Sequence, residues 1–379
     1  MPQFADLDLS PNHIELARRA KAGQYIDLTS SNPTQHGLLF PPQILQNAAA
    51  GYWHARQYDP NPRGQLPARQ AIANYYASRN CTIDPEHIFI TASTSEAYGL
   101  IFALLAEPGD NVIGPSITYP LFEHLAALYH VELRAYALDK TFDWQIDPSH
   151  FYHAIDPRTR AMLVVSPHNP TGATYQLQSL IRPDIQHLPI VCDEVFAEFA
   201  FGMARTPPMA TQCPNSPVFM LNGISKMFAL PDLKLGWIAL NPLAAEQFAE
   251  RLELINDTFL SANALTQFML PGIFAQGMTF VTEMRSQINA NLKWALAQLR
   301  QCRRVRVHSP DGGYYLFPEV LDWPGSADDL ILNLLDAGVF VYPGYFYNCD
   351  SGKHIMISCL TRPDQLRKGV GRLMDVLTR

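Results

Sequence analysis

Asn222-Gly223-Ile224-Ser225-Lys226, followed by Leu230-Pro231-Asp232-Leu233-Lys234-Leu235-Gly236-Trp237, decides how the rest of the chain is read. The apolar run Val218 to Leu221 before it reads as a buried strand, so Lys226 stands just past a strand end. In open parallel sheets, ligands gather at the carboxyl edge. A lysine there can form an imine with a carbonyl cofactor. Lys234, eight residues on, can hold that cofactor's phosphate. An isolated lysine is usually a surface charge. Here Ser225 and the Leu-Pro-x-Leu-Lys-x-Gly-Trp run argue for chemistry instead.

Working upstream, other polar residues also stand just past apolar runs. Asp193 closes Pro189-Ile190-Val191-Cys192. Asn169 lies in Ser166-Pro167-His168-Asn169-Pro170-Thr171-Gly172, where Asn-Pro and Thr-Gly also make ordinary turns. Thr91-Ala92-Ser93-Thr94-Ser95-Glu96-Ala97 joins a strand to a helix, and the N–H groups of a helix start cradle phosphate. Each signal alone is weak, and together they supply what pyridoxal phosphate needs. Asp193 can keep the pyridine nitrogen protonated, so that the ring withdraws electrons. The Asn169 amide can donate to the phenolic oxygen. Ser93, Thr94 and Lys234 can hold the phosphate, and Ser225, flanking the lysine, is a further cofactor contact. Tyr119, in Thr118-Tyr119-Pro120, can stack on the ring, or it is a core aromatic. Tyr58, in Tyr58-Asp59-Pro60-Asn61-Pro62-Arg63-Gly64, can donate to the phosphate.

The same alternation of apolar runs and helical stretches continues from about residue 87 to Leu240. Expected strands are His87 to Thr91, Asn111 to Gly114, Val131 to Leu138, Ala161 to Ser166, Pro189 to Asp193, Val218 to Leu221 and Leu235 to Leu240. This is an α/β pattern with a mostly parallel sheet flanked by helices. Helices are expected over Ile14 to Ala22, Pro42 to Trp53, Ser95 to Leu105 and Tyr119 to Tyr129, with a Pro-rich loop at 31–42. After Asn241 long helices (Pro242 to Thr258, Phe280 to Arg300) are followed by short strands and helices, which fits a smaller α+β domain. The expected division is a large cofactor-binding domain over 40–260 and a small domain from 1–39 and 261–379.

With 379 residues, 47% of them hydrophobic, the chain can bury a sizeable core. A net charge of −7 without a basic block argues against nucleic acid or anionic membranes as partners. No apolar run is long enough to span a bilayer. Met1 to Ser10 is acidic and polar, unlike a secretory signal. The six cysteines form no Cys-x-x-Cys pair, so metal-site spacing is absent and reduced, cytoplasmic thiols are expected.

The motifs around Lys226, Asp193 and Asn169 resemble the pyridoxal-phosphate aminotransferases of fold type I, class I/II, from about Tyr25 to the end. The resemblance implies a seven-stranded large-domain sheet and transfer of an amino group from an amino acid to a 2-oxo acid, ping-pong. It implies Lys226 as the Schiff-base lysine, Asp193 on the ring nitrogen and Asn169 on the phenolic oxygen. Ser93 and Thr94 go to the phosphate, and Tyr119 over the ring. It also implies a homodimer with shared active sites, Tyr58 reaching into the partner's site. Ser31-Asn32-Pro33-Thr34 matches the substrate loop, with Asn32 as a substrate contact, and Gly312-Gly313-Tyr314 matches a small-domain signature.

Three departures bear on chemistry. Phe196 stands where a tyrosine usually adds a second bond to the phenolic oxygen. Lys234 replaces the usual phosphate arginine, keeping charge but not the bidentate fork, and Gly223 replaces a serine. Met356 falls where an arginine usually grips the substrate α-carboxylate. Arg362, six residues on, either takes over that role or sits at a surface helix start. These changes keep open an alternative on the same scaffold: β-elimination, cyclisation or decarboxylation. A cofactor-binding regulatory module is a third reading, against which Lys226 is retained.

Overall fold

The computed structural model describes residues 9–202 and 205–378. Seven strands make the main sheet: β1 (Ile88–Thr91), β2 (Asn111–Pro115), β3 (Glu132–Tyr136), β4 (Thr159–Val165), β5 (Ile190–Asp193), β6 (Val218–Gly223) and β7 (Gly236–Leu240). Their order is β1-β7-β6-β5-β4-β2-β3. The run from β3 to β6 is parallel, and β7 is antiparallel to both neighbours. Most of these strands are buried on both faces, which is why they read as continuous apolar runs. Phe89, Leu221 and Ile238 face one core, against helices Thr94–Leu105 and Pro242–Phe259. Ile88, Ile90 and Met220 face the other, with helix Leu66–Ala77.

β5 is tied down from behind. Arg79 Nη1 donates to Glu194 Oε2 at 2.8 Å, with both side chains 2% exposed or less. Arg79 Nη2 also donates to Thr206 O, and Glu194 Oε1 accepts from Met209 N. Removing one partner strands a buried charge. Arg79→Met is therefore expected to cost about 3–5 kcal/mol in urea denaturation, whereas an exposed pair such as Arg182–Asp184 contributes under about 1.

The smaller unit is antiparallel. Strand Lys353–Ser358 pairs with Tyr315–Leu316, Glu319–Val320 and Tyr342–Pro343. Helices Ala327–Asp336 and Pro363–Leu377 belong with it. Ile26–Asp27 pairs in parallel with Val339–Phe340, so the segment that precedes the main sheet in sequence is held by the smaller unit. This pairing carries residues 29–32 across to Lys226. Helix Ala264–Leu299 links both units: Gln267 Oε1 accepts from Gln65 N, and Asn291 Nδ2 donates to the carbonyls of Cys359 and Thr361.

Several local expectations need correction. The helix expected from Phe280 starts at Ala264, capped by Asn263, and runs through Pro271. Proline removes one helical N–H, but Leu270 and Ile273 on either side are fully buried, and that packing keeps the helix continuous. The single helix expected over Pro42 to Trp53 is two, Pro42–Ala49 and Tyr52–Ala55, parted near Gly51. The loop at 31–42 contains the short helix Pro33–His36. Helix Pro148–Ala154, capped by Asp147, was not anticipated. The N-terminal reading of Met1 to Ser10 falls mostly on residues 1–8, outside the described residues. Among the described residues no helix is long and apolar enough to cross a membrane.

Candidate active site

A cavity of about 590 Å³ opens at the edge where β1, β4, β5 and β6 end. Each of these strands delivers polar residues into it. β5 ends on Asp193. β6 runs into the short helix Ile224–Met227, which carries Ser225 and Lys226. Asn169 follows β4, while Ser93 and Thr94 follow β1. Lys234, just before β7, also lines the cavity, as do Tyr119 and Asn32.

Asp193 is 7% exposed, and burial pushes its carboxyl up to about 6. The Val195 N–H at 3.0 Å, the Tyr98 hydroxyl at 3.1 Å and the charge of Lys226 pull the other way. Burial also brings the Lys226 ammonium down to about 8, opposed by Asp193. Lys226 Nζ donates to Ser31 O at 3.1 Å. A lysine poised at that value is partly neutral, hence nucleophilic, near pH 8.

Ser93 is the N-cap of helix Thr94–Leu105 and accepts from Glu96 N at 3.1 Å. The Glu96 carboxylate accepts from Ala92 N and the Ser261 hydroxyl. β7 passes directly against this turn: a Cβ on Gly236 would lie 2.9 Å from Thr94 N. The arrangement presents helix-start N–H groups with Lys234 nearby, which suits a phosphate. The turn bearing Asn169 is fixed by His168, whose Nε2 donates to Ile117 O at 3.0 Å and whose Nδ1 meets the Thr171 hydroxyl at 2.8 Å. Burial holds His168 neutral, at about 3. Asn169 Oδ1 is buried without a hydrogen-bond partner among the described residues. A helix start with a lysine and a buried acid fit the phosphate and ring nitrogen of pyridoxal phosphate, and Asn169, which lines the same cavity, has in its Nδ2 the donor that the phenolic oxygen requires.

Two expected residues lie elsewhere. Arg362 does not line the cavity; its side chain is 63% exposed and lies 3.5 Å from Asp364 in the first turn of helix Pro363–Leu377. The chain turns into that helix before the guanidinium can reach inward. Tyr58 is 81% exposed, beside a separate cleft with Pro62 and Asn256. Met356 is buried and is not part of the cavity wall. Sequence reasoning missed Tyr98, Tyr342 and Phe346, all of which line the cavity. Tyr98 carried a usable signal, standing five residues after Ser93 on the helix that opens at the site.

Comparison with known proteins gives the family and the fold. The family model for aminotransferase class I and II matches residues 23–373. The tyrosine aminotransferase of Mus musculus is 26% identical over 344 residues, covering 85% of this chain and 76% of that protein. The glutamate-pyruvate aminotransferase AlaA of Escherichia coli K12 is 26% identical over 373 residues, covering 94% and 91%. An alanine aminotransferase structure from Pyrococcus furiosus superposes with a TM-score of 0.87 at 22% identity, covering 96% of each chain.

Proposed function

The chain belongs to the class I and II aminotransferases, a pyridoxal-phosphate-dependent enzyme family, and we propose that it moves the amino group of an amino acid to a 2-oxo acid on a cofactor held at Lys226. The observation that carries this reading is a lysine brought down to about 8 in one cavity with a buried acid raised to about 6. When bound, pyridoxal phosphate supplies an aldehyde that captures amines and a ring that spreads the charge left on Cα. Asp193 holds the ring nitrogen, and Asn169 meets the phenolic oxygen. Ser93, Thr94, Ser225 and Lys234 hold the phosphate. Tyr119 covers the ring. Asn32 stands at the donor end. Lys226 Nζ takes the α-proton and returns it, a general base and then an acid.

The test uses reconstituted enzyme and an amino donor without acceptor. Transfer releases one equivalent of oxo acid per site and stops, with a lasting change in the visible spectrum. Continued product release with recovery of the starting spectrum would instead identify a lyase. Restoring a hydroxyl through Phe196→Tyr adds a donor toward the phenolic oxygen. It is expected to lower the midpoint of the visible pH titration by about 1 unit, because a bond to the charged form favours that form. An unchanged midpoint would show that position 196 does not reach the oxygen.

We also propose a homodimer with shared active sites, supported by the exposure of Tyr58 together with Trp53 and Phe259. A large unit over 40–260 and a small one from 1–39 and 261–379 accord with the strand pairing of Ile26–Asp27. A cytoplasmic setting accords with six free, buried cysteines.

A further inference from the structure

The end of the cavity beyond Lys226 has a distinctive wall. Asp27, Thr29 and residues 30–32 come from the N-terminal segment, and Tyr342 and Phe346 from the smaller unit. Its polar groups are largely committed. Asp27 Oδ1 accepts from Thr29 N at 2.7 Å and Thr29 Oγ1 at 2.6 Å. Asn32 Oδ1 accepts from Thr34 N and Thr34 Oγ1. The Ser30 hydroxyl donates to Gln35 Oε1 at 2.8 Å, and Ser31 O receives Lys226. Among the described residues lining this end, Asp27 is the charged side chain outside the Lys226–Asp193 pair and Lys234, and it is an anion. The nearby Arg18 guanidinium is engaged twice by Glu15, at 2.7 and 3.0 Å.

The apolar part of the wall is aromatic. The rings of Tyr342 and Phe346 stack with centroids 4.3 Å apart and planes within 3°. Tyr119 lies with its centroid 6.5 Å from Phe346. A carboxylate entering here meets the like charge of Asp27, while a flat apolar group meets a ready stacking surface. Resting on the transaminase reading, we infer that the site binds its donor through an aromatic side chain on the Tyr342–Phe346 wall and not through the α-carboxylate, so that arylalkylamines are donors alongside aromatic amino acids. The balance is that of any transamination: amine plus 2-oxo acid gives aldehyde plus amino acid. The α-proton passes through Lys226, and the aldehyde oxygen comes from the water that releases it.

The test compares 2-phenylethylamine with L-phenylalanine in single turnovers of the holoenzyme, and binding of 3-phenylpropan-1-ol with 3-phenylpropanoate by calorimetry. The two donors are expected to have kcat/KM within about tenfold, and the two ligands Kd within about threefold. A preference for phenylalanine above about tenfold, or for the carboxylate ligand above about threefold, overturns the inference. Phe346→Ala should weaken both ligands about tenfold through lost stacking. Asp27→Asn should tighten the carboxylate ligand alone by about threefold or more, which a purely structural role would not do. If Phe346→Ala fails to fold, Asp27→Asn and the wild-type comparison still decide. If no amine or amino acid reacts although cofactor is bound, the transaminase reading fails; the alcohol and carboxylate ligands then separately decide what the wall recognises.

Discussion

Asp193→Asn is expected to slow amino-group transfer by about 10³-fold while making the cofactor-free protein more stable above pH 6. The two effects share a cause. Burial raises the Asp193 carboxyl from 3.8 to about 6, so the folded chain keeps a proton that the unfolded chain releases near pH 4. The stability linked to that proton is complete below pH 4 and is lost as pH rises through about 6. Above that point the ionised, buried acid costs on the order of 2–3 kcal/mol, from about two units of displacement. Asparagine carries no such charge. Urea denaturation of cofactor-free protein at pH 4 and pH 8 should show this decline in the wild type and not in the variant. Equal slopes in both would mean that Asp193 is not the strained group. The rate falls because an amide cannot keep the ring nitrogen positively charged.

Lys226→Ala is expected to abolish transfer, with a loss of about 10⁴-fold or more, since one amine both anchors the cofactor and moves the proton. After borohydride reduction, mass spectrometry should find the cofactor fixed to the wild-type chain and not to the variant. Label on the variant would place the chemistry at another lysine. In wild type, the rate of cofactor capture should rise with pH around a midpoint of about 8 as the amine loses its proton. Because the folded-state value lies below the ordinary 10.5, the linked stability is present above that value and is lost as pH falls through about 8. Together, Asp193 and Lys226 make the active cavity a strained part of the fold near neutrality, consistent with the trade of stability for activity.

Much of the site was legible because its residues sit at fixed places in local patterns. Strand-end residues follow apolar runs, and helix starts follow Ser-Thr turns, so Asp193, Asn169, Ser93 and Lys226 could be placed together before any contact was known. The failures are equally local. The helix expected from Phe280 begins sixteen residues earlier, at Ala264, and buried Leu270 and Ile273 hold it through Pro271. Arg362 was a matter of direction, and a pattern of residue types carries no direction for a side chain at a loop-to-helix junction.

The amino-acid order by itself therefore determined the α/β architecture and the strand-end residues Asp193, Asn169, Ser93 and Lys226 that line one cavity at the edge of the sheet. Tertiary packing decided what those residues can do. It brings Ser31 O to Lys226 and the Tyr98 hydroxyl to Asp193, shifts both ionisations, and stacks Tyr342 on Phe346 beside Asp27. The reason is physical: helix and strand periodicities act over a few neighbouring residues, whereas desolvation and charge proximity depend on segments brought together from distant parts of the chain.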